Sequence, residues 1–131
     1  MLKIVPWKFY QNLRCWMVRI KQFDVWVADL NPRKGNEAGK IRPVIIIQTD
    51  LLNKIHPSTI ICPVTTNVQL DSKMLRVHLS SGDANVKDDC DILIDQIRAI
   101  DNARLLRKIG TLESTAIIKI KENIKIVLDL D

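Results

Sequence analysis

Apolar runs too short to make helices, each closed by turn residues, follow one another along most of this chain. Val18-Arg19-Ile20 and then Phe23-Asp24-Val25-Trp26-Val27 alternate as a half-buried strand does, until Asn31-Pro32 ends the pattern. Pro43 to Ile47 is continuously apolar and predicts a strand covered on both faces, and Ser58 to Val64 repeats that character. Leu75, Val77 and Leu79 alternate with Arg76, His78 and Ser80, which predicts a strand with one wet face. A polar loop runs from Ser81 to Asp89, strand character returns from Asp91 to Ile97, and Arg104 to Gly110 leads into the final segment. Four or five short strands linked by loops indicate a compact β-barrel or sandwich.

The last segment reads two ways. As a helix it places Ile117, Ile120, Ile124 and Val127 on one face, with Thr111 or Ser114 as N-cap. As a strand it alternates Ile118, Ile120, Ile124, Ile126, Leu128 and Leu130 with polar residues. Pattern alone does not choose between them.

Length and composition bound the rest. A chain of 131 residues with 47% hydrophobic and 27% charged residues is one globular domain with a real core. No apolar run reaches the ~20 residues that span a bilayer, and the N-terminus lacks a secretory pattern, so membrane insertion and export are not expected. Cys15, Cys62 and Cys90 are odd in number and contain no Cys-x-x-Cys pair, which argues against a disulfide framework or a zinc site and for a reducing cytoplasm. Asp83, Asp88, Asp89 and Asp91 lack calcium-ligand spacing and read as a solvated loop, so no metal site is expected. Cys62 and Cys90 read as small core residues, His78 as an exposed strand position and His56 as loop.

The net charge of +5 lies in the N-terminus, where Lys3, Lys8, Arg14, Arg19 and Lys21 occur without an acid; the other 15 basic residues are matched by 15 acidic ones. Charge by itself is therefore weak evidence for nucleic acid. Residues 1–16 carry Trp7, Phe9, Tyr10 and Trp16 among basic residues and precede Met17. They read as a disordered extension or as lying before the true start, rather than as a basic-aromatic RNA arm.

The loop from Asn31 to Pro43 holds the first chemical candidates. Gly35 and Gly39 allow tight bends, and Glu37 and Arg42 are placed to approach each other at its base. A guanidinium there suits a phosphate, because its planar fork bonds two oxygens at once. The plain alternative is an Arg42–Glu37 surface pair worth ~0–1 kcal/mol.

A wider set of motifs bears on that choice. Asp24-Val25-Trp26-Val27-Ala28-Asp29-Leu30-Asn31-Pro32, Lys34-Gly35-Asn36-Glu37 and Arg42-Pro43-Val44-Ile45-Ile46-Ile47-Gln48 resemble the MazF/PemK family of bacterial toxins. So do Cys62-Pro63-Val64-Thr65-Thr66, the stretch from Asp95 to Asp101, Arg104-Leu105 and Ile109-Gly110-Thr111-Leu112. The resemblance covers roughly residue 17 to the end, in order, which is far more specific than any one motif. It departs at Phe23, where many members have glycine, and at Asn36-Glu37-Ala38, where Ser-Glu-Gln is commoner.

The resemblance implies an SH3-like small barrel, mainly β with a C-terminal helix, over residues 17–131. It implies a homodimeric type II toxin that cuts single-stranded RNA, chiefly mRNA, and is blocked by a cognate antitoxin, with DNA reached only through the antitoxin complex. It further implies no cofactor: the 2′-hydroxyl attacks the adjacent phosphorus and leaves a 2′,3′-cyclic phosphate. Arg42 matches the family's catalytic arginine and Thr65 its catalytic hydroxyl. Arg42 would clamp the phosphorane, worth ~10²–10³ in rate, and Thr65 would donate a further hydrogen bond. Glu37 is the first candidate for base if burial raises its pKa. Lys34, Asn36, Asp95 and Gln96 are RNA-contact candidates, and Asp95 and Gln96 equally suit strand-end groups that satisfy nearby backbone. The general acid stays open. Two other functions fit the same fold: a toxin that binds DNA gyrase, and an inactive RNA-binding barrel.

Overall fold

The computed structural model describes residues 20–131, so Val18, Arg19, Cys15, the 1–16 extension and the start at Met17 lie outside the described residues. Among the described residues seven strands form one antiparallel sheet: β1 Asp24–Asp29, β2 Ile41–Ile46, β3 Ser58–Thr65, β4 Arg76–Leu79, β5 Cys90–Leu93, β6 Arg98–Asp101 and β7 Leu105–Thr111. A one-turn helix α1 spans Asp50–Asn53, and the chain closes with helix α2, Ser114–Val127.

Strand order is β4-β5-β3-β2-β1-β7, and β6 continues along the β3 edge beyond β5. The run from Asp91 to Ile97, expected as one strand, is broken by a 3₁₀ turn at Ile94–Gln96. Because β3 is eight residues long, Ser58–Ile61 pair with β6 while Val64 and Thr65 pair with β5. β7, read in sequence only as a lead-in, pairs along most of β1 with two register shifts.

The central strands are buried on both faces, as the unbroken apolar runs require. Val25, Ile45, Cys62, Val64 and Ile92 face a core shared with α2, while Trp26, Val44, Ile46, Ile61 and Ile100 face a second cluster. The helical reading of the C-terminus is the correct one. Ile120 is fully buried, Ile117, Ile124 and Val127 pack against the same core, and Ile118, Ile126, Leu128 and Leu130 stay exposed. A strand would have split that stripe between two faces. The cap is Glu113, one residue before Ser114, without a side-chain cap bond.

The first strand begins later than its alternation suggests, because the backbone turns at Gln22 and Phe23. Phe23 takes φ +66°, a left-handed conformation natural to glycine. That costs about 1–2 kcal/mol. The ring is only 8% exposed, within the α2-facing core, and Lys121 lies 5.6 Å from its centroid. Burying a phenyl side chain returns about 1.5–3 kcal/mol, so packing outweighs the strain.

Candidate active site

Two polar side chains expected to converge do so. Arg42 enters from β2 and Thr65 from the end of β3, and both line a cleft of about 430 Å³ with Lys40, Lys87, Asp88 and Cys90. The Arg42 Nε–H donates to the Gly39 carbonyl at 2.7 Å, and Nη1 donates to the Val64 carbonyl at 3.2 Å. Nη2 has no protein acceptor among the described residues and is free to meet an anion. Partial burial, and after it the charge of Arg33, lower the pKa of Arg42. The Thr65 hydroxyl oxygen accepts from the Asn67 N–H at 3.2 Å, which leaves its proton for donation elsewhere.

Glu37 is placed differently from expectation. Its carboxylate lies 3.8 Å from Arg98 and is 49% exposed, in a neighbouring cleft with Asn36, Asp95, Gln96 and Ile97. The expected Arg42–Glu37 approach does not form. Arg42 is instead turned onto backbone carbonyls, and the loop is pinned towards the 3₁₀ turn by Gln96. The Gln96 Oε1 accepts from the Ala38 N–H at 2.8 Å, and its Nε2 donates to the Asn36 carbonyl at 3.4 Å. Gln96 thus acts on backbone, the plainer of its two sequence readings. Asp95 lines the second cleft and forms no ion pair among the described residues. Lys34 is exposed on the loop, its carbonyl accepting from the Glu37 N–H at 3.0 Å.

Two anchors outside the cleft fix the loop. Arg104 Nη1 donates to the Asp29 carbonyl at 3.0 Å and to that of Asn31. The Leu30 N–H donates to the Lys40 carbonyl at 2.9 Å, closing the loop base, and Gly35 turns its tip with φ +55°. Sequence reasoning passed over Lys40, Lys87 and Asp88 as site residues. Lys40 sits two positions before Arg42 and was open to notice, whereas nothing local marks Lys87 or Asp88.

Cys62 and Cys90 are core residues as expected, 0% and 2% exposed. Burial, with the nearby Asp95 charge, pushes the Cys62 thiol up to about 12. Burial and four neighbouring aspartates push Cys90 up to about 11, so the thiol walling the cleft is not a nucleophile at neutral pH. The expectation of a wholly solvated aspartate loop fails at Asp91, which is 1% exposed and bonded to Gln69, Arg76 and His78. His78 is an exposed position of β4, as expected, with its Nδ1 3.0 Å from Asp91 Oδ1. Among the described residues no helix is long and apolar enough to cross a membrane.

Residues 21–128 match the family described as PemK-like, MazF-like toxin of type II toxin-antitoxin system. The chain belongs to this family. This PemK/MazF-like toxin is 36% identical over 111 residues to endoribonuclease EndoA of Bacillus subtilis, covering 85% of the toxin and 96% of that relative. It is 34% identical over 112 residues to endoribonuclease MazF of Staphylococcus epidermidis, covering 86% and 93%. Its fold matches a crystal structure of MazF from Deinococcus radiodurans with a TM-score of 0.73 at 18% identity, covering 85% of the toxin and 97% of that chain. A MazE-MazF structure from the same organism gives a TM-score of 0.69 at 18% identity, covering 86% and 97%. The family match over residues 21–128 contains both Arg42 and Thr65.

Proposed function

We propose that this toxin is an endoribonuclease that cuts single-stranded RNA, chiefly mRNA, in the cleft between Arg42 and Thr65. The observation carrying this reading is the convergence, from two strands, of an Nη2 and a hydroxyl proton that have no protein acceptor among the described residues. The 2′-hydroxyl attacks the adjacent phosphorus, forming one P–O bond as the bond to the 5′-oxygen breaks, and leaves a 2′,3′-cyclic phosphate. Arg42 bonds the phosphoryl oxygens as their charge grows, and Thr65 donates a second bond to them. The departing 5′-oxygen takes up a proton as its bond to phosphorus breaks, from a group within hydrogen-bond reach of it.

Two carboxylates compete for the proton of the 2′-hydroxyl: Asp88 within the cleft and Glu37 beside it. Glu37→Gln and Asp88→Asn separate them in single-turnover cleavage. The variant of the base loses about 10²–10⁴-fold, and the other loses less than about tenfold. Lys34, Asn36, Asp95 and Gln96 line or support the approach, with Gln96 acting through the loop it pins.

The toxin works as a homodimer in the cytoplasm, is blocked by a cognate antitoxin, and reaches DNA only through the antitoxin complex. The exposed apolar side chains of Ile41, Leu70, Met74 and Leu106 support association with protein partners. Residues 17–131 carry the activity, so deleting 1–16 leaves the cleavage rate within about twofold; a large rise in KM for RNA would instead make the extension an RNA-binding arm. Mixed-sequence RNA incubated with purified toxin in chelator tests the whole reading. Fragments ending in cyclic phosphate are expected, whereas intact RNA with inhibited gyrase would replace the enzyme by a gyrase-binding toxin.

A further inference from the structure

One row of side chains crosses three strands. Thr65 on β3 is opposed by Asp91 on β5, and Asp91 by His78 on β4, so all three share one face of the sheet. The turn leaving β3 folds back across this row. The Gln69 N–H donates to Asp91 Oδ2 at 2.8 Å, and Arg76 Nη1 donates to the same oxygen at 3.1 Å. Arg76 Nη1 also donates to the Asn67 carbonyl at 2.7 Å, and Asp91 Oδ1 lies 3.0 Å from His78 Nδ1. Asn67 is therefore gripped at both ends, its N–H by the Thr65 hydroxyl and its carbonyl by Arg76.

Burial alone would raise the Asp91 carboxyl, yet the Gln69 N–H, His78 and Arg76 together hold it below the ordinary carboxylate range. A charged, buried acceptor directs its donors more sharply than a solvated one. An ion pair serving only barrel stability would tie strand to strand. This one also reaches Asn67 and Gln69, two and four residues beyond Thr65.

We propose that Asp91, acting with Arg76, is a positioning residue that fixes the turn after β3 and through it the orientation of the Thr65 hydroxyl at the scissile phosphate. The proposal rests on the reading of the Arg42–Thr65 cleft as the cutting site.

A double-mutant cycle tests it, using an RNA oligonucleotide that carries the sequence mapped from cleaved mixed RNA. Asp91→Asn keeps shape and loses charge. It should lower kcat about tenfold to hundredfold with KM unchanged within about twofold, the pattern of a misplaced reacting group. Combined with Thr65→Val, it should slow the reaction by no more than about twofold beyond Thr65→Val alone, because both act through one hydroxyl. Amide exchange at Asn67 and Gln69 should quicken while β1 and β2 amides keep their protection. Arg76→Gln, which removes the Asn67 bond and leaves the carboxylate, should give the same loss in kcat alone and serves if Asp91→Asn does not fold.

Unchanged kcat in the variants, or losses that multiply with that of Thr65→Val, would overturn the positioning role and leave the cleft reading standing. Full activity of Thr65→Val would sink the cleft reading and this proposal together.

Discussion

Arg42→Ala should lower RNA cleavage by about 10²–10³-fold while the barrel stays folded. The loss follows from geometry. Arg42 is the guanidinium whose Nε–H and Nη1 are fixed on the Gly39 and Val64 carbonyls, so Nη2 is aimed before substrate arrives. A donor held in advance spends no free energy on reorganisation when charge develops on the phosphoryl oxygens. The structural cost is small, because two hydrogen bonds at the rim of an open cleft contribute only about 0.5–1.5 kcal/mol each. Arg42→Lys restores the charge but not the fork, and should recover only part of the rate. Single-turnover cleavage measured beside thermal melting checks both halves. Undiminished cutting by folded Arg42→Ala would remove this residue from the chemistry.

Gly110→Ala should destabilise the fold by about 2 kcal/mol or more, a large share of the margin of a domain this size. A Cβ on Gly110 would lie 2.1 Å from the Ala84 carbonyl oxygen and 2.6 Å from its carbon, and backbone yields less readily than a side chain. The contact matters because the 3₁₀ turn Asp83–Asn85 lies against β7 here, with the Asn85 Nδ2 donating to the Ile109 carbonyl at 2.8 Å. Pushing that turn outward would also shift Val86, Lys87, Asp88 and Cys90, which wall the Arg42–Thr65 cleft. Denaturant unfolding of Gly110→Ala in the cleavage-deficient Arg42→Ala background gives the value without toxicity. A midpoint equal to that of Arg42→Ala alone would show that the turn does not press on β7 in solution.

Much of the architecture was legible in the pattern of apolar residues. The double-sided burial of Val44, Ile45 and Ile46 follows from an unbroken apolar run, and the alternation at Val77 and Leu79 marks a strand with one wet face. β7 was harder to see, since Leu106 and Ile109 break its alternation and two register shifts interrupt its pairing with β1. The C-terminal helix was ambiguous because its isoleucines satisfy both periods; packing of Ile120 against the sheet decided it.

At the site, residue types and their order marked Arg42 and Thr65, because each lies within a motif that can be read locally. The partners of the polar groups could not be read in this way. Glu37 meets Arg98 rather than Arg42, and Gln96 reaches Ala38 across 58 positions. Asp91, which resembles its solvated neighbours in sequence, is buried beneath a turn 22 positions away.

Hydrophobic patterning marked β1 to β5 as strands, by alternation where one face is wet and by unbroken apolar runs where both are covered. The family motifs determined where chemistry should be sought. Only the tertiary structure decided which carboxylate faces which cation, because a hydrogen bond requires about 3 Å and that distance is set by register and loop path across the whole barrel.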